Sequence, residues 1–157
     1  MSDETAASTF LARLKSGEIQ PPALARTLGF EPGEFGVGTA SFTMRADPSR
    51  HGNVMGTMHG GVLATLADSA MGFAFATTLA ADETFATLEF KVSFLRPVWN
   101  SALTASAHVV HRGKTTGLVE CRVTDERDRL IAHATSTCLV LRGKQAEGRA
   151  FRDSGGR

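Results

Sequence analysis

Asn53-Val54-Met55-Gly56-Thr57-Met58-His59-Gly60-Gly61 opens a stretch that continues VLATLADSAMGFAFATTLA as far as Ala80. Within it Val62, Leu63, Leu66, Ala67, Ala70, Met71, Ala74 and Phe75 recur at the spacing of an α-helix, and small residues fill most positions between them. A helix apolar nearly all round has to be wrapped by the rest of its domain. Val62 to Ala80 is also the only segment that suggests a membrane span. Asp68 sits inside it and no Lys or Arg flanks it closely, so it reads as a core helix.

What could wrap that helix follows it in the chain. Phe85 to Leu95 alternates as a strand, with Ala86, Leu88, Phe90, Val92 and Phe94 on one face and Thr87, Glu89, Lys91 and Ser93 on the other, before Arg96-Pro97 ends it. Leu103, Ala105, Ala107 and Val109 give the apolar face of the next strand. Arg112-Gly113-Lys114-Thr115 then turns the chain into a strand over 116–124. Pairing Arg112 with Thr116 sets Val109 opposite Val119 and Ala107 opposite Cys121. A second turn over 125–129 leads to a strand over 130–141, and pairing Asp125 with Leu130 sets Cys121 opposite Ala134. Ahead of the helix, the Gly, Thr and Ser content of Phe35 to Arg45, with Phe42 and Met44, predicts one strand and then a polar loop over 46–56.

Residues 3–16 predict a short amphipathic helix through Phe10, Leu11 and Leu14, ended by Gly17 and Pro21-Pro22. The chain thus divides into an N-terminal arm with a short helix (1–34), a domain (35–141), and a Gly-rich polar tail (142–157) expected to be disordered. The order of strand, long helix and further strands reads as α+β, one antiparallel sheet curled round a long central helix. A helix lying flat on an open sheet would leave half its apolar surface wet.

Composition narrows the function. In 157 residues, 17 Lys plus Arg balance 16 acidic residues, so no global field draws the protein to nucleic acid or an anionic membrane. Any anion must be held locally. The N-terminus MSDETAAS is acidic where a secretion signal would be basic. The two cysteines, Cys121 and Cys138, fall about 13 Å apart along one sheet face at ~3.3 Å per residue, beyond disulfide reach. Both features lead us to expect a cytoplasmic protein.

Chemistry concentrates at the helix start. Gly60 and Gly61 lack a Cβ, so a carbonyl oxygen could approach free backbone N–H groups there, with the helix dipole adding roughly half a positive charge. That would make an oxyanion hole. Close packing of the helix start on a strand would explain the glycines equally well. Asp68 favours the first reading, since a lone carboxylate midway along an apolar helix is costly to bury unless it has work or a partner such as an Arg or Thr. Asp68 lies nine residues after His59, about 13.5 Å along the axis at 1.5 Å per residue, too far to serve its own helix start. A second subunit packed antiparallel across a two-fold axis would bring carboxylate and hole together, giving two equivalent sites per dimer.

Asn53 through Gly61, Asp68 and the later Phe94-Leu95-Arg96-Pro97 resemble the hotdog-fold thioesterases of the PaaI type, over roughly residues 35–141. The resemblance implies a hotdog fold and a site made of Asn53, Gly60, Asp68 and Thr87. Gly60 N–H would polarise the thioester carbonyl of an acyl-CoA, and Asn53 would position the thioester or the attacking water. Asp68 would be general base or nucleophile, and Thr87 would hold the water or the carboxylate. It implies no cofactor, and a homodimer with shared sites that two copies could extend to a homotetramer. Thr87 falls on the polar face of its strand, where a solvated Thr is the plain alternative.

His59 is tempting as a base, but the positive end of the helix dipole argues for a structural role, capping the helix or fixing the Asn53 loop. His51, His59 and Asp68 lack a further ligand at short spacing, so no metal site is expected, and His108, His111 and His133 read as packing or surface. Coenzyme A phosphates would need basic side chains, for which Arg50, Arg96, Arg112 and Lys114 in loops and at strand ends are the candidates, with Gly61 beside the thioester. Phe73, Phe75, Phe85, Phe90 and Met71 offer lining for an aromatic or medium-chain acyl group. Two other functions compete: a hotdog-fold acyl-thioester hydratase or dehydratase, whose His and acidic pair His59 and Asp68 superficially echo, and a non-catalytic acyl-CoA-binding module.

Overall fold

Thr5 caps the first helix, α1 (Ala6–Lys15), by accepting the Ser8 N–H, and Phe10, Leu11 and Leu14 are buried beneath it as the amphipathic spacing predicts. The computed structural model describes residues 5–152. After α2 (Ala23–Leu28) come strands β1 (Phe30–Gly36) and β2 (Thr39–Arg45), the short helix α3 (Pro48–His51) and the long helix α4 (Gly60–Ala76). Four strands follow: β3 (Glu83–Phe94), β4 (Ala102–Arg112), β5 (Thr116–Asp125) and β6 (Leu130–Arg142). All six strands form one antiparallel sheet in the order β1-β2-β4-β5-β6-β3.

The sheet curls over α4. Leu63, Leu66, Ala67, Ala70, Met71, Ala74 and Phe75 on the helix are buried against Phe42, Met44, Leu103, Ala105, Val119, Cys121, Val123 and Ala134 on the strands. Each large apolar side chain so enclosed contributes about 1.5–3 kcal/mol. The wrapping is incomplete. Gly61 is exposed and Thr65, Asp68 and Gly72 are half-buried, a stripe at helical spacing that the sheet leaves uncovered.

Four expectations change. The single strand over 35–45 is a hairpin whose first strand begins at Phe30. Pro32 and Gly33 hid it, but β1 is an edge strand, where a missing N–H is tolerated. Gly38, at φ 74°, makes the reversal, and its N–H donates to the Thr77 hydroxyl at the end of α4. Next, β3 does not alternate throughout. Leu88 is an extra residue, since Thr87 pairs with Cys138 and Glu89 with Thr137. Phe85 and Thr87 therefore share the inner face with Phe90, Val92 and Phe94, and Thr87 is not on the opposite side from Phe90. Third, Val109–Val119, Ala107–Cys121 and Cys121–Ala134 pair as expected, but a bulge at Val110 sets Arg112 opposite Gly117, not Thr116, and Leu130 pairs with Thr124.

Fourth, the tail expected to be disordered from 142 continues as a 3-10 turn over Gly143–Ala146 and places the Phe151 ring 5.5 Å from Phe10 and 5.6 Å from Phe73. Residues 153–157 of that tail and 1–4 of the arm lie outside the described residues. Both cysteines are free and buried, and burial pushes the Cys121 thiol up to about 12. No helix among the described residues is long and apolar enough to cross a membrane.

Candidate active site

The loop before α4 is built by Asn53. Its Oδ1 accepts from the Met55 N–H (2.9 Å) and the Thr57 N–H (3.2 Å), and its Nδ2 donates to the Thr57 hydroxyl (2.9 Å). An isolated bridge between Gly52 and Met58 closes the loop. The Met58 N–H donates to Val98 O and the His59 N–H to His51 O, both at 2.7 Å, which pins the helix start between two segments. His51, buried, accepts the Asp47 N–H on Nδ1 and therefore carries its proton on Nε2, which donates to Leu28 O.

His59 is the helix N-cap. Its Nδ1 accepts the Gly61 N–H at 2.9 Å. That bond uses the Gly61 N–H, whereas no described residue accepts from the Gly60 N–H, the first of the helix. The Phe94 ring covers Gly60 so closely that a Cβ there would lie 2.9 Å from its Cζ. The strand therefore packs on this glycine, and no described residue takes up its N–H. Asn53, Thr57, Gly60, Leu63, Phe94 and Arg96 line one cavity of about 310 Å³.

Asp68 lines a different cavity, of about 200 Å³, with Ser69, Gly72, Phe73, Phe85, Thr87 and Phe151. No described side chain hydrogen-bonds or ion-pairs with the Asp68 carboxylate, and burial pushes its pKa up. Thr87 reaches this cavity because of the Leu88 bulge. No residue is common to the two cavities, so within one chain the start of α4 and the Asp68 carboxylate open into separate spaces.

The basic candidates are dispersed. Arg96 borders the Gly60 cavity. Arg50 donates from Nη2 to Thr27 O at 2.7 Å. Arg112 pairs with Glu83 at 2.6 Å and lies 5.4 Å from the Phe75 ring centre, at the other end of α4. Burial would push the Glu83 carboxyl up, but hydrogen bonds from the Ala80 N–H, Arg112 and Arg142 outweigh it and hold the group below its ordinary range. Lys114 is exposed in the turn between β4 and β5. His108 and His133, read as packing or surface, both approach Glu120, at 3.7 and 2.6 Å, on the outer sheet face. Among the described residues no group of three His, Cys, Asp or Glu side chains could hold a metal ion.

The sequence alone assigns no site role to Thr57, Phe94, Gly72 or Phe151. An Asn four residues before a Thr is a legible loop-closing pattern and points to Thr57. Nothing local predicts Phe151, which arrives through the fold of the tail.

Comparison with known proteins gives the family. The thioesterase superfamily matches residues 55–132. The 1,4-dihydroxy-2-naphthoyl-CoA hydrolase of Listeria monocytogenes is 29% identical over 122 residues, covering 78% of this chain and 98% of that one. A protein of Halobacterium salinarum named for esterase activity is 38% identical over 107 residues, 67% of this chain and 68% of that one. The solved structure of PaaI, from the phenylacetic acid degradation operon of Escherichia coli, superposes with a TM-score of 0.75 at 26% identity, covering 87% of this chain and 97% of that one. A sheet curled round one helix, together with these relatives, defines a hotdog-fold thioester hydrolase. The chain belongs to the thioesterase superfamily.

Proposed function

We propose that the protein hydrolyses an aromatic or medium-chain acyl-CoA to the free acid and coenzyme A, at two sites each shared between the protomers of a homodimer. The observation that carries this reading is the separation of the half-sites: the free Gly60 N–H and Asn53 border one cavity, the unpaired Asp68 and Thr87 another. Strand β3 supports a partner on this side. It is an unpaired sheet edge carrying exposed Leu88, Phe90 and Phe94, next to the uncovered stripe of α4. Such an edge is normally covered or charged.

In each shared site Asp68 of one protomer takes a proton from water, whose oxygen attacks the thioester carbonyl carbon. The developing oxyanion meets the Gly60 N–H of the other protomer, at the positive end of α4. Asn53 has one amide N–H beyond its bond to Thr57 with which to hold the substrate. The tetrahedral intermediate collapses, the C–S bond breaks, and the thiolate takes the proton from Asp68. A thiolate leaves without a strong general acid, which fits a site whose only acid–base group is one carboxylate. Desolvation gives that carboxylate the raised proton affinity a base needs. Arg96, beside the Gly60 cavity, is the basic residue best placed to meet coenzyme A.

The aromatic substrate class draws on the Listeria relative, whose name specifies an aromatic acyl-CoA. It also draws on the rings of Phe73 and Phe85 beside Asp68. Release of free thiol from a panel of aromatic and straight-chain acyl-CoAs tests the reading. Turnover of at least one class supports it. Thiol release from none, or a change at the enoyl absorbance instead, refutes it.

A further inference from the structure

The Phe151 ring borders two cavities at once: the one of about 200 Å³ that holds Asp68, and a second of about 640 Å³ between α1, the end of α4 and the tail. Ala7, Phe10, Ala76 and Leu79 form a buried apolar patch in the larger cavity, which the ion-paired Glu83 also lines, while Asp82, Glu147 and Arg149 stand exposed around it. Phe10 belongs to the larger cavity and Phe73 to the smaller. Their rings stack at 5.8 Å with Phe151 against both, so three aromatic side chains form the wall between the two spaces.

The three rings are not held alike. Phe10 is buried in α1, and Phe73 is fixed on α4 against Phe42 at 5.4 Å. Phe151 is 38% exposed, and its segment is tied to the sheet by the Thr84 hydroxyl donating to Arg149 O. Of the three it is the ring that can swing aside at least cost. The wall beyond Asp68 offers an amide-rich pantetheine arm little to bond, because the Ser69 hydroxyl is spent on Thr65 O. Its apolar lining suits the acyl end.

We propose that Phe151 sets the acyl-chain length the enzyme accepts, a reading that rests on the thioesterase site proposed above. With Phe151 in place, the Asp68 cavity is smaller than the ~300–1,000 Å³ typical of ligand pockets and takes compact acyl groups, a single ring or a short chain. With the ring displaced, the cavity opens into the larger one, which lies within that range and can receive the distal methylenes of a long chain.

Hexanoyl-CoA and hexadecanoyl-CoA hydrolysis should be compared in the full chain, in Phe151→Ala and in a chain ending at Gly148. The ratio of kcat/KM for the long over the short substrate should rise at least about tenfold in both variants, as burial of a few more methylenes would give. A ratio within twofold of the parent's overturns the proposal. Calorimetric binding of free hexadecanoic acid runs in parallel and does not depend on turnover, with the same tenfold gain in affinity expected in Phe151→Ala. If none of the proteins cleaves these two or any aromatic acyl-CoA of the panel above, the thioesterase reading fails, and unchanged fatty-acid binding then separately overturns the role of Phe151.

Discussion

Asp68 is a carboxylate on an apolar helix with no partner among the described residues, and two consequences follow from that one fact. Asp68→Asn should lower kcat at least about a hundredfold while nearly preserving shape, and steady-state hydrolysis of any accepted acyl-CoA reads it directly. The same substitution should stabilise the fold at pH 7, because burial penalises only the charged form. A carboxyl raised in the folded state contributes stability that is full below its unfolded pKa and is lost as pH rises through the folded one. The thermal advantage of Asp68→Asn should therefore be present at neutral pH and vanish as pH falls below the ordinary aspartate value of about 3.9. Melting temperatures of both proteins from pH 3 to 8 check the sign, and equal curves would mean that Asp68 is solvated. At Gly60 the neighbour is the Phe94 ring, the far end of a half-exposed side chain that can yield to a methyl group. Gly60→Ala should consequently lose turnover at least about tenfold with little change in melting temperature, since alanine restores up to ~1 kcal/mol of helix propensity. A collapse of stability with turnover intact would leave packing as the glycine's only role.

Strand β3 separates what was legible in the sequence from what was not. The helix announced itself through spacing, and the inner faces of β4, β5 and β6 followed from alternation, because both patterns repeat along the segment that carries them. The bulge at Leu88 has no such signature: all of Thr87, Leu88 and Glu89 suit a strand, and pairing with β6 decides which is the extra residue. Strict alternation therefore put Thr87 on the outer face, whereas the fold brings it to Asp68. Pro32-Gly33 concealed β1 for a related reason, since its position at the sheet edge is a property of the whole topology. The edge position of β3 carries its own expectation. Phe90 is 37% exposed within one chain, so Phe90→Lys should disturb that chain little yet place charge on the face proposed for the partner. Sedimentation should find monomers in place of dimers, with turnover lost in parallel, and an active dimeric variant would place the interface elsewhere.

Across the whole molecule, the two cavities, the open stripe of α4 and the edge of β3 support the proposed function, in which the Gly60 and Asp68 ends of a site come from different chains. The sequence conveyed the separation of Gly60 from Asp68 through the nine-residue interval from His59 to Asp68, because helical rise turns residue count into distance. It did not convey the tail, whose Gly-rich composition masks the one aromatic residue that folds back onto Phe10 and Phe73. The shared site is open to a direct test. Asn53→Ala removes a residue of the Gly60 half-site and Asp68→Asn removes the carboxylate, so either homodimer carries two damaged sites. When the two variants are co-refolded, random exchange makes half the dimers mixed, and each mixed dimer carries one doubly damaged and one intact site. Roughly a quarter of all sites are then whole. The account predicts activity near a quarter of the parent's in the co-refolded mixture and none above background when the variants are combined without exchange. If mixed dimers form and the mixture stays as inactive as its components, hole and carboxylate act within one chain and the shared site does not exist.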